Sequence, residues 1–155
     1  MSHDNWQTPP DLFRALDREF HFDLDAAASI ENTLCPRFIG EVEDALRTPW
    51  AGENVFCNPP YSMLPAFVER ASDQSEEQGN RVVLLVPAYT DTNYWWSCCL
   101  AAKEIRFLKG RLRFWEEGRP GKDTARFPSA VVIFDASNGL FQCSPNINWW
   151  DWRRV

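Results

Sequence analysis

A chain of 155 residues with 22 Asp+Glu against 16 Lys+Arg carries a formal net charge of -6. Taken alone, that acidic balance argues against a nucleic-acid partner, because phosphate binding draws on Lys and Arg. With 45% hydrophobic and 25% charged residues, the composition fits one globular domain spanning 1–155 and excludes a disordered or fibrous chain.

Thr8 is expected to cap a first helix, with Pro9 at its first position and Asp11 completing a T-x-x-D box. Leu12, Phe13, Leu16 and Phe20 then share one face. Residues 21–25 read as a short strand that empties into the small-residue turn Ala26-Ala-Ala-Ser29. A second strand over 54–57 runs into Asn58-Pro-Pro-Tyr-Ser62, and residues 63–74 have helical spacing. The near-continuous apolar run 81–86 suits a strand buried on both faces of a parallel sheet.

A further helix is expected over 92–102, then strands over 104–108, 111–115 and 129–134, with a polar loop over 116–126. The tail Asn148-Trp-Trp-Asp-Trp152 is apolar enough to need a surface, and is expected to cover a sheet edge or a partner subunit. Alternating strands and helices imply an α/β fold with a mainly parallel sheet, whose ligands bind beyond the carboxyl ends of the strands. That rule singles out Asp25-Ala-Ala-Ala-Ser29 and Asn58-Pro-Pro-Tyr61.

No apolar run reaches the ~20 residues of a membrane helix. The opening MSHDNWQTPP lacks the basic and apolar regions of a secretory signal. A cytoplasmic setting without a membrane partner is expected. The five cysteines are odd in number and lack a C-x-x-C, and His3 and His21 sit near no cysteine pair. No metal site is expected, and the thiols read as small, reduced and buried. Asp23 and Asp25 form a D-x-D without a supporting carboxylate cluster, so Asp23 reads as structural or solvent-facing.

Charge is uneven along the chain. Residues 1–58 sum to -7 and residues 59–100 to -3, whereas residues 101–155 sum to +4. Eight basic residues fall between Lys103 and Arg126. The acidic total therefore hides a basic strip able to face phosphates. Arg111 and Arg113 alternate with Leu112 and Phe114, which places both on one polar face.

Two successive prolines end a strand abruptly, because proline has no amide to donate. Their carbonyls still accept, and Asn58 adds a side-chain carbonyl beside them. The result is a rigid acceptor cluster next to the aromatic face of Tyr61. An exocyclic amino group on adenine is a poor nucleophile, its lone pair being delocalised into the ring. Accepting its two hydrogens, one at Asn58 Oδ1 and one at the Pro59 carbonyl, favours pyramidalisation and aims the lone pair outward. Tyr61 can stack on a base that has left its duplex. Catalysis then rests on positioning and hydrogen bonding.

Trp6-Gln-Thr-Pro-Pro10, Phe22-Asp-Leu-Asp-Ala-Ala-Ala28, Asp44-Ala-Leu46 and Asn58-Pro-Pro-Tyr-Ser62 lie in order along the chain. Leu84-Leu-Val-Pro87, Thr90-Asp-Thr92 with Trp95-Trp96, Gly110-Arg-Leu-Arg-Phe114 and Ser129-Ala-Val-Val-Ile-Phe134 follow. Across these pieces the chain resembles the phage-type DNA N6-adenine methyltransferases. The resemblance implies a compact Rossmann-like methyltransferase fold. It also implies methyl transfer from S-adenosylmethionine to adenine N6 in double-stranded DNA of host or phage. It makes Asn58, Pro59, Pro60 and Tyr61 the catalytic motif, and Thr8, Pro9, Asp25, Ala26 and Asp44 the cofactor contacts. Asp25 would accept from the methionine ammonium and Asp44 from the cofactor's adenine amino group.

The cofactor loop departs from the Gly-rich loops of the wider class, and the chain has only 7 Gly. No separate target-recognition domain is expected at this length, so sequence selectivity comes from loops, from an oligomer such as a homodimer, or is slight. Arg111, Arg113 and Trp95 are the candidate DNA contacts. Two rival readings are an Asn-Pro-Pro-Tyr enzyme acting on RNA or a protein glutamine amide, and an inactive domain that binds or mimics DNA.

Overall fold

The computed structural model describes residues 3–97, 99–136 and 144–155. The first helix, α1 (Pro10–Phe20), starts one residue later than the sequence suggests. Pro9 is extended at φ -56 and ψ 127 and takes the cap position, Pro10 opens the helix, and no side chain caps it. Thr8 is buried instead of capping. Two consecutive prolines explain the shift, because a residue preceding proline is driven out of the helical region. Leu12, Phe13, Leu16 and Phe20 are buried as expected.

Strands β1 (Leu24–Asp25), β2 (Arg37–Phe38) and β3 (Asn54–Cys57) follow, then α2 (Leu64–Gln78) and β4 (Arg81–Pro87). Gly79 ends α2 at φ 63, a left-handed position that glycine takes without steric cost. The helix expected over 92–102 is shorter: α3 (Asn93–Ser97) gives way to a separate 3-10 turn at Cys99–Ala101. β5 (Glu104–Leu108) is as expected.

Residues 111–114 are not a strand, which corrects the 111–115 expectation. The side chains still alternate, Arg111 and Arg113 exposed and Leu112 and Phe114 buried. Starting at Trp115 and reaching into the stretch expected to be a loop, β6 (Trp115–Glu116) and β7 (Arg119–Pro120) form a hairpin. β8 (Ser129–Asp135) and β9 (Asn146–Trp150) complete the elements.

Seven strands form one sheet in the order β2-β1-β3-β4-β8-β5-β9. β8 runs antiparallel to both neighbours and every other pairing is parallel. The fold is mixed α/β with a mainly parallel sheet. β4 shows why its sequence is unbroken by polar residues. Val82, Leu84 and Val86 join a core that includes Phe67, Val68 and Ala71 of α2. Val83 and Leu85 join the opposite core with Leu12, Phe13 and Leu16 of α1. All five are fully buried, so Leu84→Ala would cost about 2–5 kcal/mol.

The carboxyl ends of β1, β2, β3, β4 and β5 therefore lie along one end of the sheet. At the opposite end, Arg81 and Lys103 pair with Asp135, and Arg106 pairs with Glu19 and Glu104. These pairs neutralise one another around a small cavity of about 230 Å³. Of the two roles expected for Asp23, the structure shows the structural one, its carboxylate accepting from the Glu53 and Asn54 amides. Burial opposes its charge, but the amides of Asn54 and Glu53 and the Arg37 guanidinium outweigh that and lower its pKa.

Among the described residues no helix is long and apolar enough to cross a membrane. Cys35, Cys57 and Cys99 are buried free thiols. Cys98 and Cys143 lie outside the described residues.

Candidate active site

Asn58 follows the last residue of β3, and parallel pairing sets that strand end beside β1, with Asp25 opposite Phe56. The Ala26 amide donates to the Phe56 carbonyl at 2.9 Å, which fixes the turn after β1 against the motif. Pro59 is buried and Pro60 half-buried. The Pro60 carbonyl accepts from the Met63 amide at 3.0 Å, closing the 3-10 turn Tyr61–Met63. The Asn58 Nδ2 donates to the Trp6 carbonyl at 3.0 Å. That bond orients the amide and turns Oδ1 the other way. Neither Asn58 Oδ1 nor the Pro59 carbonyl accepts a hydrogen bond from another described residue.

Tyr61 sits among three aromatic rings in edge contacts: Trp6 at 6.3 Å, Phe114 at 6.1 Å and Phe127 at 5.7 Å between centroids. Its hydroxyl is buried without a partner, and burial pushes its pKa well above the usual phenol value. Tyr61 thus remains a neutral ring. Phe114 is itself stacked on Trp6 at 4.9 Å.

Asp25 is 4% exposed and has no cationic partner among the described residues. Burial lifts its carboxyl to about 6, against the opposing pull of the Ala27 and Leu34 amides. A buried carboxylate lacking a counter-charge suits a cationic ligand group. Ala26 is fully buried beside it. Asp44 closes the turn that follows β2, its amide bonded to the Gly40 carbonyl, in a left-handed conformation at φ 56 that Asp tolerates better than most residues. Its carboxylate accepts from the Leu46 amide and pairs with Arg47, and remains half-exposed. Thr8 and Pro9 are both buried, directly after the Trp6 that holds Asn58. The sequence-derived residues of motif and cofactor loop thus gather at one end of the sheet.

The family model for DNA N-6-adenine-methyltransferase (Dam) matches residues 1–142. A DNA N-6-adenine-methyltransferase of Escherichia phage T1 is 34% identical over 111 residues, 70% of this chain and 46% of that protein. Another, of Haemophilus phage HP1 (strain HP1c1), is 32% identical over 136 residues, 85% of this chain and 79% of that protein. The chain belongs to the DNA N-6-adenine-methyltransferase (Dam) family. The activity of that family is adenine N6 methylation in DNA. The match covers less than half the length of the T1 relative.

In this Dam-family chain the basic strip divides in two. Lys103, Arg106, Lys109 and Arg119 each pair with a carboxylate. Arg111, Arg113, Lys122 and Arg126 pair with none among the described residues. These four lie on the segment that folds over the motif. Gln7 and Trp115 exchange backbone hydrogen bonds at 2.8 and 2.9 Å, and Gly121 and Ala125 bond back to Phe114 and Leu112. A cleft of about 560 Å³ opens between this segment and Trp6, with Arg119 and Lys122 in its wall.

Trp95, expected at the DNA, is corrected by the structure. It is 4% exposed and stacks on Phe107 at 6.0 Å in the core. Adjacent helical residues point to different sides, and the exposed one of the pair is Trp96, at 68%.

Sequence reasoning missed Asp4 and Phe127. Asp4 accepts from both the amide and the hydroxyl of Ser62, at 2.9 and 2.7 Å, clamping the turn that carries Tyr61. The two residues are 58 positions apart, so no local spacing signals the contact.

Proposed function

We propose that the protein transfers a methyl group from S-adenosylmethionine to N6 of adenine in double-stranded DNA. On this reading it is a single Rossmann-like methyltransferase domain acting at particular sites in the cytoplasm of a bacterial host. The observation that carries the reading is the pair of unengaged acceptors, Asn58 Oδ1 and the Pro59 carbonyl, at a strand end beside Asp25.

S-adenosylmethionine, when bound, supplies a methyl group activated by its sulfonium charge. Asp25 fits its ammonium, being buried and without a cation. Thr8, Pro9 and Ala26 would wall the methionine part, and Asp44, with half its carboxylate exposed, would accept from the adenine amino group. Asn58 and Pro59 take the two hydrogens of the target amino group and hold its lone pair out of the ring plane. With the cofactor bound, the new N–C bond would form as the sulfonium S–C bond breaks to leave a neutral thioether, and the amino group would give up one proton to solvent. Pro60 fixes the backbone, and Tyr61 offers a neutral ring against which a base turned out of the duplex can stack. Arg111 and Arg113 hold phosphates near the same end of the sheet, and the hairpin β6–β7 with its cleft is placed to read neighbouring nucleotides.

The test is transfer of labelled methyl to unmethylated DNA, with RNA and a glutamine-bearing protein run in parallel. The expected result is label in DNA at adenine N6, abolished in Asn58→Ala while the cofactor still binds. Label only in RNA or protein, or full transfer by Asn58→Ala, would overturn the proposal.

A further inference from the structure

The two edges of the sheet differ in kind. β2 is two residues long and carries Arg37, which pairs with Asp23, so that edge is short and charged. Such edges resist pairing with another chain. β9 is five residues long, Asn-Ile-Asn-Trp-Trp, with no charged residue, no proline and no bulge in its register with β5. Its other side is paired to no described strand. Ile147 is 42% exposed and Trp149 80% exposed.

Hydrogen-bond parity fixes what that free side offers. The Asn146 amide donates to the Lys103 carbonyl and the Trp150 carbonyl accepts from the Lys109 amide, so the even-numbered residues face β5. Backbone groups alternate along a strand, which leaves the amides and carbonyls of Ile147 and Trp149 pointing outward. We infer that β9 pairs antiparallel with β9 of a second copy of this chain, about a two-fold axis through Asn148.

In that register Ile147 lies opposite Trp149 of the second copy, and Trp149 opposite its Ile147. Both are outward-bonding residues, so each pair exchanges two backbone hydrogen bonds. The same two pairs set a β-branched side chain against an aromatic one on the face where Trp149 already touches Phe107 at 5.8 Å. That is a favoured cross-strand combination. Asn148 meets its own copy at the axis. The chain's net charge of -6 makes two copies repel at long range, and an uncharged edge is where they meet without adding to it. An axis perpendicular to the sheet turns the two active sites to opposite ends of the continuous sheet.

The test is the mass of the full chain in solution by light scattering across a dilution series. The expected value is twice 18.0 kDa. Ile147→Pro removes an outward amide and the Ile147 side chain but no bond to β5, so it should give a folded monomer by circular dichroism. Asn148→Cys, in a background carrying Cys98→Ser and Cys143→Ser, should oxidise to a covalent dimer. Directly opposed residues of this non-bonded type sit about 4.5 Å apart, within disulfide reach. If Ile147→Pro does not fold, the Asn148→Cys cross-link decides. A wild-type monomer, or a dimer that neither responds to Ile147→Pro nor cross-links at 148, would overturn the inference.

Discussion

The Asn58 side-chain amide donates to the main-chain carbonyl of Trp6 at 3.0 Å, across 52 positions of sequence. An amide has one donor end and one acceptor end, so tying down the donor decides which way the acceptor points. Asn58→Ala removes the acceptor and leaves the backbone of Pro59 and Pro60 in place. We expect methyl transfer to fall at least about 100-fold, the scale of losing one transition-state hydrogen bond. Cofactor affinity by calorimetry should stay unchanged. A drop in affinity matching the drop in rate would move Asn58 into the cofactor site.

Asp4 is the outlying support of the same motif. Its two bonds to Ser62 set the turn on which Tyr61 rides. Asp4→Ala should cost about 1 kcal/mol of stability, since both bonds are solvent-exposed. It should also lower kcat more than it raises the KM for DNA. Asp4→Asn, which can still accept from Ser62, should recover part of the rate. A variant with lower stability and unchanged kcat would make Asp4 structural only.

The contrast between Asp4 and Asn58 shows what the sequence makes legible. Asn-Pro-Pro-Tyr is read from four adjacent residues because the strand stop and the acceptors are both local properties of proline and asparagine. The same holds for β4, whose apolar run announces burial on both faces. Asp4 and Phe127 reach the site only through tertiary folding, and their local patterns are those of any loop. Trp95 and Trp96 fail differently. Helical spacing says that they diverge, but only the position of Phe107 decides which one is buried. The stretch 111–114 keeps strand alternation without strand pairing, because its Phe114 and Leu112 carbonyls accept from the loop amides of Gly121 and Ala125, and pairing begins only at Trp115.

That tryptophan pair gives a clean comparison. Trp95→Ala should cost about 3–5 kcal/mol of unfolding free energy, as expected for a large core aromatic. Trp96→Ala should change stability by less than about 1 kcal/mol, its side chain being 68% exposed. Chemical denaturation of the two variants measures both values. Equal losses would mean that Trp96 packs more deeply than its exposure indicates.

The divided basic strip separates binding from folding. Arg111→Ala and Arg113→Ala together should lower the salt slope of DNA binding by about 1.8, close to 0.9 for each phosphate that no longer meets an arginine. Arg106 is held by Glu19 and Glu104, which together raise its pKa further above the usual arginine value against the cost of burial. Arg106→Ala should therefore reduce stability and leave the salt slope alone. Titrating each variant with DNA at several salt concentrations checks both outcomes. A slope unchanged in the Arg111/Arg113 double variant would remove both from the interface.

With the cofactor's ammonium on Asp25, as proposed above, cofactor binding should depend on pH. Burial raises its carboxyl from the ordinary 3.8 to about 6 in the folded chain. Between those values the native state holds a proton that the unfolded chain has released. The group therefore favours the native state below about pH 4, and that contribution is lost as pH rises through 6, about 3 kcal/mol in all. An ammonium docked on Asp25 supplies the missing counter-charge and pulls the carboxyl back down. S-adenosylmethionine should then bind more weakly as pH falls below about 6, with proton release on binding near that pH. Asp25→Asn should be more stable than the parent near pH 7, lose most of the pH dependence of stability between 4 and 6, and bind the cofactor poorly. Calorimetry in buffers of different ionisation enthalpy counts the released protons. Tight, pH-independent binding by Asp25→Asn would place the cofactor's ammonium elsewhere.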